Sequence, residues 1–304
     1  MEVKTVGLKI ENITGLPVYE RMERAGRICY RSEDKIAEGS AKKFVQMVAD
    51  NGHYSVLGHS QLLLLLPMED AVDVDLLCPQ HLKHQFTFIP HNDSMVVAAG
   101  FDTWLQLCQV ARMPFAIKLV QQFPEIFHGL IVDGMKPYAV DIFSTDGSLH
   151  MRMEQFQYVM KETYVLTVDR ATAMQLRTYR FATHSVESQR YVNYVKHGFI
   201  YVMPPELEGN EFMKTWWLEA KGEESDDYAF LISQDYKPEF ARVVLGQDIS
   251  TTMAITASLW EWRHIFHCRL NSHTQSNARV VVQMVKDDLL LRYAGTPIAK
   301  WLEE

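Results

Sequence analysis

Residues 163 to 169 (Thr-Tyr-Val-Leu-Thr-Val-Asp) alternate in the period-2 manner of a half-buried strand and run directly into a helix start at Arg170. The segment that follows, Arg170 to Tyr191, holds four arginines, two glutamine amides, Glu187 and several hydroxyls within 22 residues. Guanidinium and amide groups at that density bind anions and amide edges rather than coat a surface. A strand that delivers such side chains into a helix narrows the fold to α/β or α+β.

The flanking segments agree with that class. Val3 to Ile10 alternates as an edge strand, and Val18 to Tyr30 and Ala41 to Ala49 carry helical spacing, the second stopped by Asn51-Gly52. The leucine run 62 to 66 reads as a buried strand closed by Pro67. Residues 67 to 160 form a less regular middle, with helical stretches near 102 to 112 and 114 to 122 and a Gly- and Pro-rich passage around 129 to 147. The expectation is a single domain over 1 to 304 with an inserted, mostly helical subdomain at about 67 to 160. Further on, a helix is expected over Glu211 to Ala220, an acidic loop over Glu223 to Asp227, a short helix opened by Lys237-Pro238-Glu239, a strand at Met253 to Thr256 and a long helix from Leu259. Met95-x3-Ala99-x4-Trp104 and Met253-x3-Ala257-x4-Trp262 share one pattern, strand into helix. An internal repeat and chance both account for three shared identities.

Composition prunes the function classes. A formal net charge of −8 argues against a general nucleic-acid binder. The four cysteines are scattered without CxxC or ligand spacing, so neither a disulfide framework nor a zinc site is indicated and a reduced, cytoplasmic setting is expected. Met1-Glu2 opens no apolar leader, and the leucine run is too short to span a bilayer. Phosphate-loop, GxGxxG, GxSxG and HExxH signatures are absent. His81 and His84 stand three apart without a third ligand nearby, which favours ordinary packed or exposed histidines.

On the helix from Leu259, the residues Leu259, Trp262, Phe266 and Arg269 share one face, so a guanidinium extends an apolar stripe. It either snorkels to water at the helix end or meets an anionic or acceptor partner. Arg180, Arg190 and Arg242 likewise sit at the ends of apolar elements, and separated guanidinium forks of this kind suit a phosphomonoester.

Taken together these segments resemble the flavin-dependent thymidylate synthases (ThyX). That family carries an Arg-His-Arg triplet, a serine after seven residues and an Arg-Tyr pair two residues later. Here Thr178-Tyr179-Arg180, Ser188 and Arg190-Tyr191 occupy those positions. Gly52-His53-Tyr-Ser-Val-Leu-Gly58-His59-Ser60 is similar to the family's Gly-His-x-Ser-Val-Leu-Glu-His box, Ala241-Arg242-Val-Val-Leu to its Ala-Arg-x-x-Leu-Pro turn, and Glu261 to Gln275 to its last active-site helix. The resemblance implies a bent mixed sheet with long helices, assembled as a homotetramer with sites between subunits. It implies reductive methylation of dUMP to dTMP, with methylenetetrahydrofolate as carbon donor and hydride from NADPH through FAD.

By position, Gln175, Thr178, Glu187, Ser188, Arg190 and Arg242 would bind dUMP. Arg269 would be the catalytic residue that polarises the uracil edge. His59, Ser60, Tyr179, Arg180, Ser258, Trp260 and His264 would line the FAD site. No metal, nucleic acid or membrane is implied. The departures gather on the flavin side: Thr178 and Tyr179 replace an arginine and a histidine, Val186 replaces a glutamine or glutamate, and Ser258-Leu-Trp260 stands where Asn-Leu-Arg is usual. Each lost charge-assisted hydrogen bond is worth about 1.5 to 3 kcal/mol, which stacking by Tyr179 and Trp260 would have to offset. Three readings follow: a divergent synthase, a folate-dependent hydroxymethylase acting on dUMP or dCMP, and a non-catalytic nucleotide-binding paralogue.

Overall fold

The structure, a computed structural model, describes residues 3–136, 138–144 and 153–304. Met1-Glu2, Pro137 and the 145–147 end of the Gly- and Pro-rich passage lie outside the described residues. The strands are β1 (Lys4–Thr5), β2 (Lys9–Asn12), β3 (Gln61–Pro67), β4 (Thr87–His91), β5 (Ser94–Gly100), β6 (Asp141–Ser144), β7 (Lys161–Asp169), β8 (Ala182–Val186), β9 (Ile200–Tyr201) and β10 (Ser250–Ser258). They form two four-stranded antiparallel sheets, in the orders β4-β5-β3-β6 and β2-β7-β10-β8. The short β1 and β9 pair in parallel.

The leucine run is unbroken because β3 is central and covered on both faces. Leu62, Leu64 and Leu66 enter the main core of the first half, and Leu63 packs with Ile89, Val96 and Val159 on the other face. In the second sheet, Tyr164, Leu166 and Val168 of β7 pack against Trp262 and the helix Ser276–Arg292. Val165 turns the other way, toward Ile13, Ala25 and Ile28.

Most expected elements are present, with three differences. The edge strand expected over Val3 to Ile10 is split into β1 and β2, which join different sheets. The middle segment is largely helical but also contributes β4, β5 and β6, so it builds a second sheet rather than a cap. The helix from Glu211 runs on to Ser233 through the acidic stretch. Lys221 holds Glu224 and Asp248 there, and Ser225 donates back to the Lys221 carbonyl at 2.7 Å, so the acids are absorbed as a helix face.

His59 joins the N-terminal segment to the second sheet. Its ring is fully buried, with Nδ1 2.8 Å from Thr256 Oγ1 and Nε2 2.9 Å from Ser185 Oγ. Ser60 is buried beside it and donates to the Val18 carbonyl at 3.2 Å. Both residues, expected in a flavin site, are instead core positions whose polar atoms are already committed.

Burial lowers the His59 pKa to about 3 and the His184 pKa to about 4. The unfolded chain takes up these protons first, near pH 6.5, so the histidines contribute full stability above that value and lose it as pH falls toward 4. At pH 5, His59 alone is expected to cost on the order of 2 kcal/mol. Chemical denaturation at pH 7 and pH 5 should show that loss in the wild type and a clearly smaller one in His59→Gln. Equal losses in the two proteins contradict this account.

Candidate functional site

Two helices entered directly from strands bring the site together. Asp169 ends β7 and caps the helix Arg170–Leu176: its Oδ1 accepts from the Thr172 amide at 2.7 Å, and its Oδ2 accepts from the Thr172 hydroxyl at 2.8 Å and from Asn277 at 2.9 Å. Ser258 ends β10 and caps the helix Leu259–Arg269 by accepting from the Glu261 amide at 3.2 Å. The first helix therefore presents Gln175 and Thr178 at its C-terminal end, and the second presents Arg269 at its own.

Those ends meet. The Arg269 guanidinium donates to the Gln175 carbonyl at 3.3 Å and to Thr178 Oγ1 at 3.5 Å, and lies over the Tyr179 ring at 5.4 Å. Arg269 Nε is buried without a hydrogen-bond partner. The Gln175 side-chain amide is engaged by Gln275 at 2.6 Å. His264 packs edge-on to Tyr179 at 5.7 Å and parallel to Trp260 at 6.1 Å. A hollow of about 420 Å³ opens here, walled by Thr178, Tyr179, Trp260, Glu261, His264 and Arg269. Burial pushes the Tyr179 phenol up to about 12, opposed by the Arg269 charge, so it stays a protonated donor near neutrality.

Arg180, Phe181 and Trp260 also belong to the wall of a second cavity, of about 440 Å³. This one lies between the two halves of the chain, with Gln85 and Asp102 on one side and Lys161, Thr183, His184 and Ser258 on the other. Tyr158, Phe181 and Trp260 supply exposed aromatic surface at its rim, with ring centroids 6.1 to 6.5 Å apart. Of the buried polar side-chain atoms without a partner among the described residues, Arg269 Nε, Glu261 Oε2 and His184 Nε2 all belong to residues of these two walls.

The remaining expected residues fall elsewhere. Glu187 is buried, accepts from Tyr194 Oη at 2.8 Å and lies 3.8 Å from Arg31 Nε. Burial pushes its pKa up against the pull of Arg31. Arg170 donates to the Glu187 carbonyl at 3.1 Å. The charges of Arg177 and Arg242 press on Arg170 and, with its burial, lower its pKa. Ser188 Oγ accepts from the Arg190 amide at 3.3 Å, and the exposed Arg190 reaches Glu239 at 3.4 Å. Of the arginines singled out in the sequence, Arg180 and Arg269 share the wall of one hollow, and Arg190 lies apart on Glu239. Sequence reasoning missed Asp102, Lys161 and His184: each is an isolated polar residue in its own segment, and only the meeting of the two halves reveals them. Among the described residues no group of His, Cys, Asp or Glu has metal-site geometry, and no helix is long and apolar enough to cross a membrane.

Residues 150–290 match the sequence model of the family described as thymidylate synthase complementing protein (Thy1). The chain is 27% identical over 134 residues to a flavin-dependent thymidylate synthase of Pyrococcus furiosus, covering 43% of this chain and 55% of that one. It is 30% identical over 120 residues to one of Geobacter sulfurreducens, covering 39% and 52%. It therefore spans about half the length of the curated relatives it matches. A crystal structure of a UMP/dUMP methylase, PolB, from Streptomyces cacaoi bound with 5-Br UMP aligns over 98% of this chain and 95% of that one, at 11% identity and a TM-score of 0.45. The matched segment, residues 150–290, holds Arg269, both helix caps and the Thr178-Tyr179-Arg180 triplet.

Removing the Glu187 carboxylate leaves the buried Tyr194 hydroxyl without its acceptor and Arg31 without its anionic partner, while the backbone carbonyl that accepts from Arg170 remains. Glu187→Ala is expected to lower stability by about 3 kcal/mol, read from the denaturant midpoint. A change below about 0.5 kcal/mol, the level of an ordinary surface substitution, contradicts the proposed role of this buried contact.

Proposed function

We propose that this protein carries out reductive methylation of a pyrimidine deoxynucleoside monophosphate, dUMP to dTMP. The methylene of methylenetetrahydrofolate becomes bonded to C5 in place of the C5 proton, and a hydride originating on NADPH completes the methyl group as tetrahydrofolate leaves. The observation that carries this reading is Arg269, anchored by the Gln175 carbonyl and Thr178 Oγ1 and lining the wall of a hollow. A fixed guanidinium beside a pyrimidine stabilises negative charge that develops on the ring, and needs no cysteine nucleophile. Arg190 and Arg242 are the candidate partners for the 5′-phosphate, since guanidinium forks suit it.

The residues present fit a flavin in their aromatic surface and in the polar side chains that line the same cavity. Arg180, Phe181, Ser258 and Trp260 would hold it, His264 would support Trp260 from behind, and a bound FAD would supply hydride. Tyr179, where a histidine is usual in the family, keeps a protonated phenol under Arg269 and holds the guanidinium plane. The homotetramer and the cytoplasmic setting belong to this same proposal.

Loss of cations from the Thr178-Tyr179-Arg180 triplet favours one alternative, transfer of the folate methylene without reduction to give a hydroxymethyl pyrimidine. Mass spectrometry of the product separates them, since the nucleotide gains CH2 in one case and CH2O in the other. Purified protein with dUMP, FAD, NADPH and methylenetetrahydrofolate is expected to give the CH2 product. Arg269→Gln should reduce kcat/KM by about 100- to 1000-fold. Absence of both products together with absence of dUMP binding overturns the proposal.

A further inference from the structure

The two sheets have the same construction. Read outward from the same point, β4-β5-β3-β6 corresponds to β8-β10-β7-β2, and all ladders in both are antiparallel. In each, a central strand leads into a helix (β3 into Met68–Leu77, β7 into Arg170–Leu176), and its neighbour leads into another (β5 into Phe101–Val110, β10 into Leu259–Arg269). The registers coincide with the sequence echo. Ala99 pairs with Leu62 and Ala257 with Glu162, and the tryptophan five residues after each alanine donates its indole N–H to the carbonyl of that same partner: Trp104 to Leu62 at 3.2 Å, Trp262 to Glu162 at 3.1 Å. Thr87 and Thr183 are likewise equivalent, pairing with Ala98 and Thr256, the residues just before the two alanines. Three shared identities alone carry little weight, but a shared register, strand order and indole hydrogen bond are not independent accidents.

This alignment places His81-Leu-Lys-His84 on Arg177-Thr-Tyr-Arg180, Asp70 on Arg170 and Ala111 on Arg269. Between β4 and β5 the first unit has only a hairpin turn, with Asn92 at φ 52, where the second has the long excursion that carries Ser188, Arg190 and Arg242. The first unit has therefore no counterpart of the arginines at Arg170, Arg242 and Arg269, and cannot form a second nucleotide site. What it retains is its wall of the cavity between the units.

We infer that the chain is an internal duplication whose first unit serves as the fixed second wall of one composite site for a pteridine ring system, the fused heterocycle shared by flavins and folates, with Asp102 and Lys161 reading its polar edge. The cavity meets the chemistry of such a ring. Phe181 and Trp260 offer aromatic surface, a carboxylate accepts from a ring N–H, and an ammonium donates to a ring carbonyl. Asp102 is placed by backbone shape. A Cβ at Gly58 would stand 3.2 Å from its Oδ1, and one at Gly100 would collide with it, so both glycines make room for the carboxylate. Burial raises the Asp102 pKa and lowers that of Lys161, each opposed by the other's charge. The inference rests on the reading above only for the choice of pteridines as the cofactor class.

Titration of the full chain with FAD and, separately, with tetrahydrofolate tests it, followed by flavin absorbance, protein fluorescence and analytical ultracentrifugation. One pteridine should bind per chain. Asp102→Asn and Gly100→Ala, whose Cβ would displace the carboxylate while leaving its charge, should each weaken binding about tenfold or more. FAD binding alone identifies an isoalloxazine site, tetrahydrofolate binding alone a pterin site, and mutual competition a site that takes either. Failure of both ligands to bind, two equivalents per chain, or unchanged affinity in both variants overturns the inference. A parallel dUMP titration of the wild type keeps the two proposals apart: absent dUMP binding with intact pteridine binding sinks the nucleotide reading and leaves the composite site standing.

Discussion

The geometry of the site depends on a single kind of junction, a strand that passes into a helix with no loop between. At Asp169 and at Ser258 the last strand residue is itself the helix cap, so each helix leaves its sheet at a fixed angle and register. Because β7 and β10 are paired over nine residues, the two helices are locked to one another through the sheet. The contact of Arg269 with the Gln175 carbonyl and Thr178 Oγ1 is the far end of that linkage. A guanidinium held by the backbone of a neighbouring helix has little freedom to follow a ligand, which is what preorganised charge stabilisation requires.

The same junction occurs in the first half, and the chemistry there differs. The Trp104 and Trp262 indoles close the two units in the same way, yet Ala111 stands where Arg269 does and a short turn replaces the arginine-bearing excursion. Packing was kept while ligand chemistry was lost. A scaffold half with no arginines of its own still shapes a cavity, and a glycine pair that admits Asp102 is the kind of local cost a functional carboxylate explains.

Much of this was legible in the sequence where the signal was local. The alternation over 163 to 169, the leucine run and the stripe of Leu259, Trp262, Phe266 and Arg269 each report one element and its buried face. The acidic stretch after Lys221 misled because charge density suggests a loop, whereas Lys221 and Ser225 fasten it as helix. His59 misled for a different reason: a histidine in a motif carries no mark of whether its ring nitrogens face a ligand or, as here, Thr256 and Ser185. Asp102 and Lys161 left no trace, since their significance lies in meeting across two units. The echo of Met95 to Trp104 in Met253 to Trp262 was visible, but its meaning needed the register.

The most direct test of the account is a crystal structure of this chain with dUMP bound. The account predicts the pyrimidine ring in the hollow beside Tyr179 and Trp260, with a polar atom of the base within hydrogen-bond distance of the Arg269 guanidinium. A nucleotide bound elsewhere, with Arg269 still held only by Gln175 and Thr178, would contradict it.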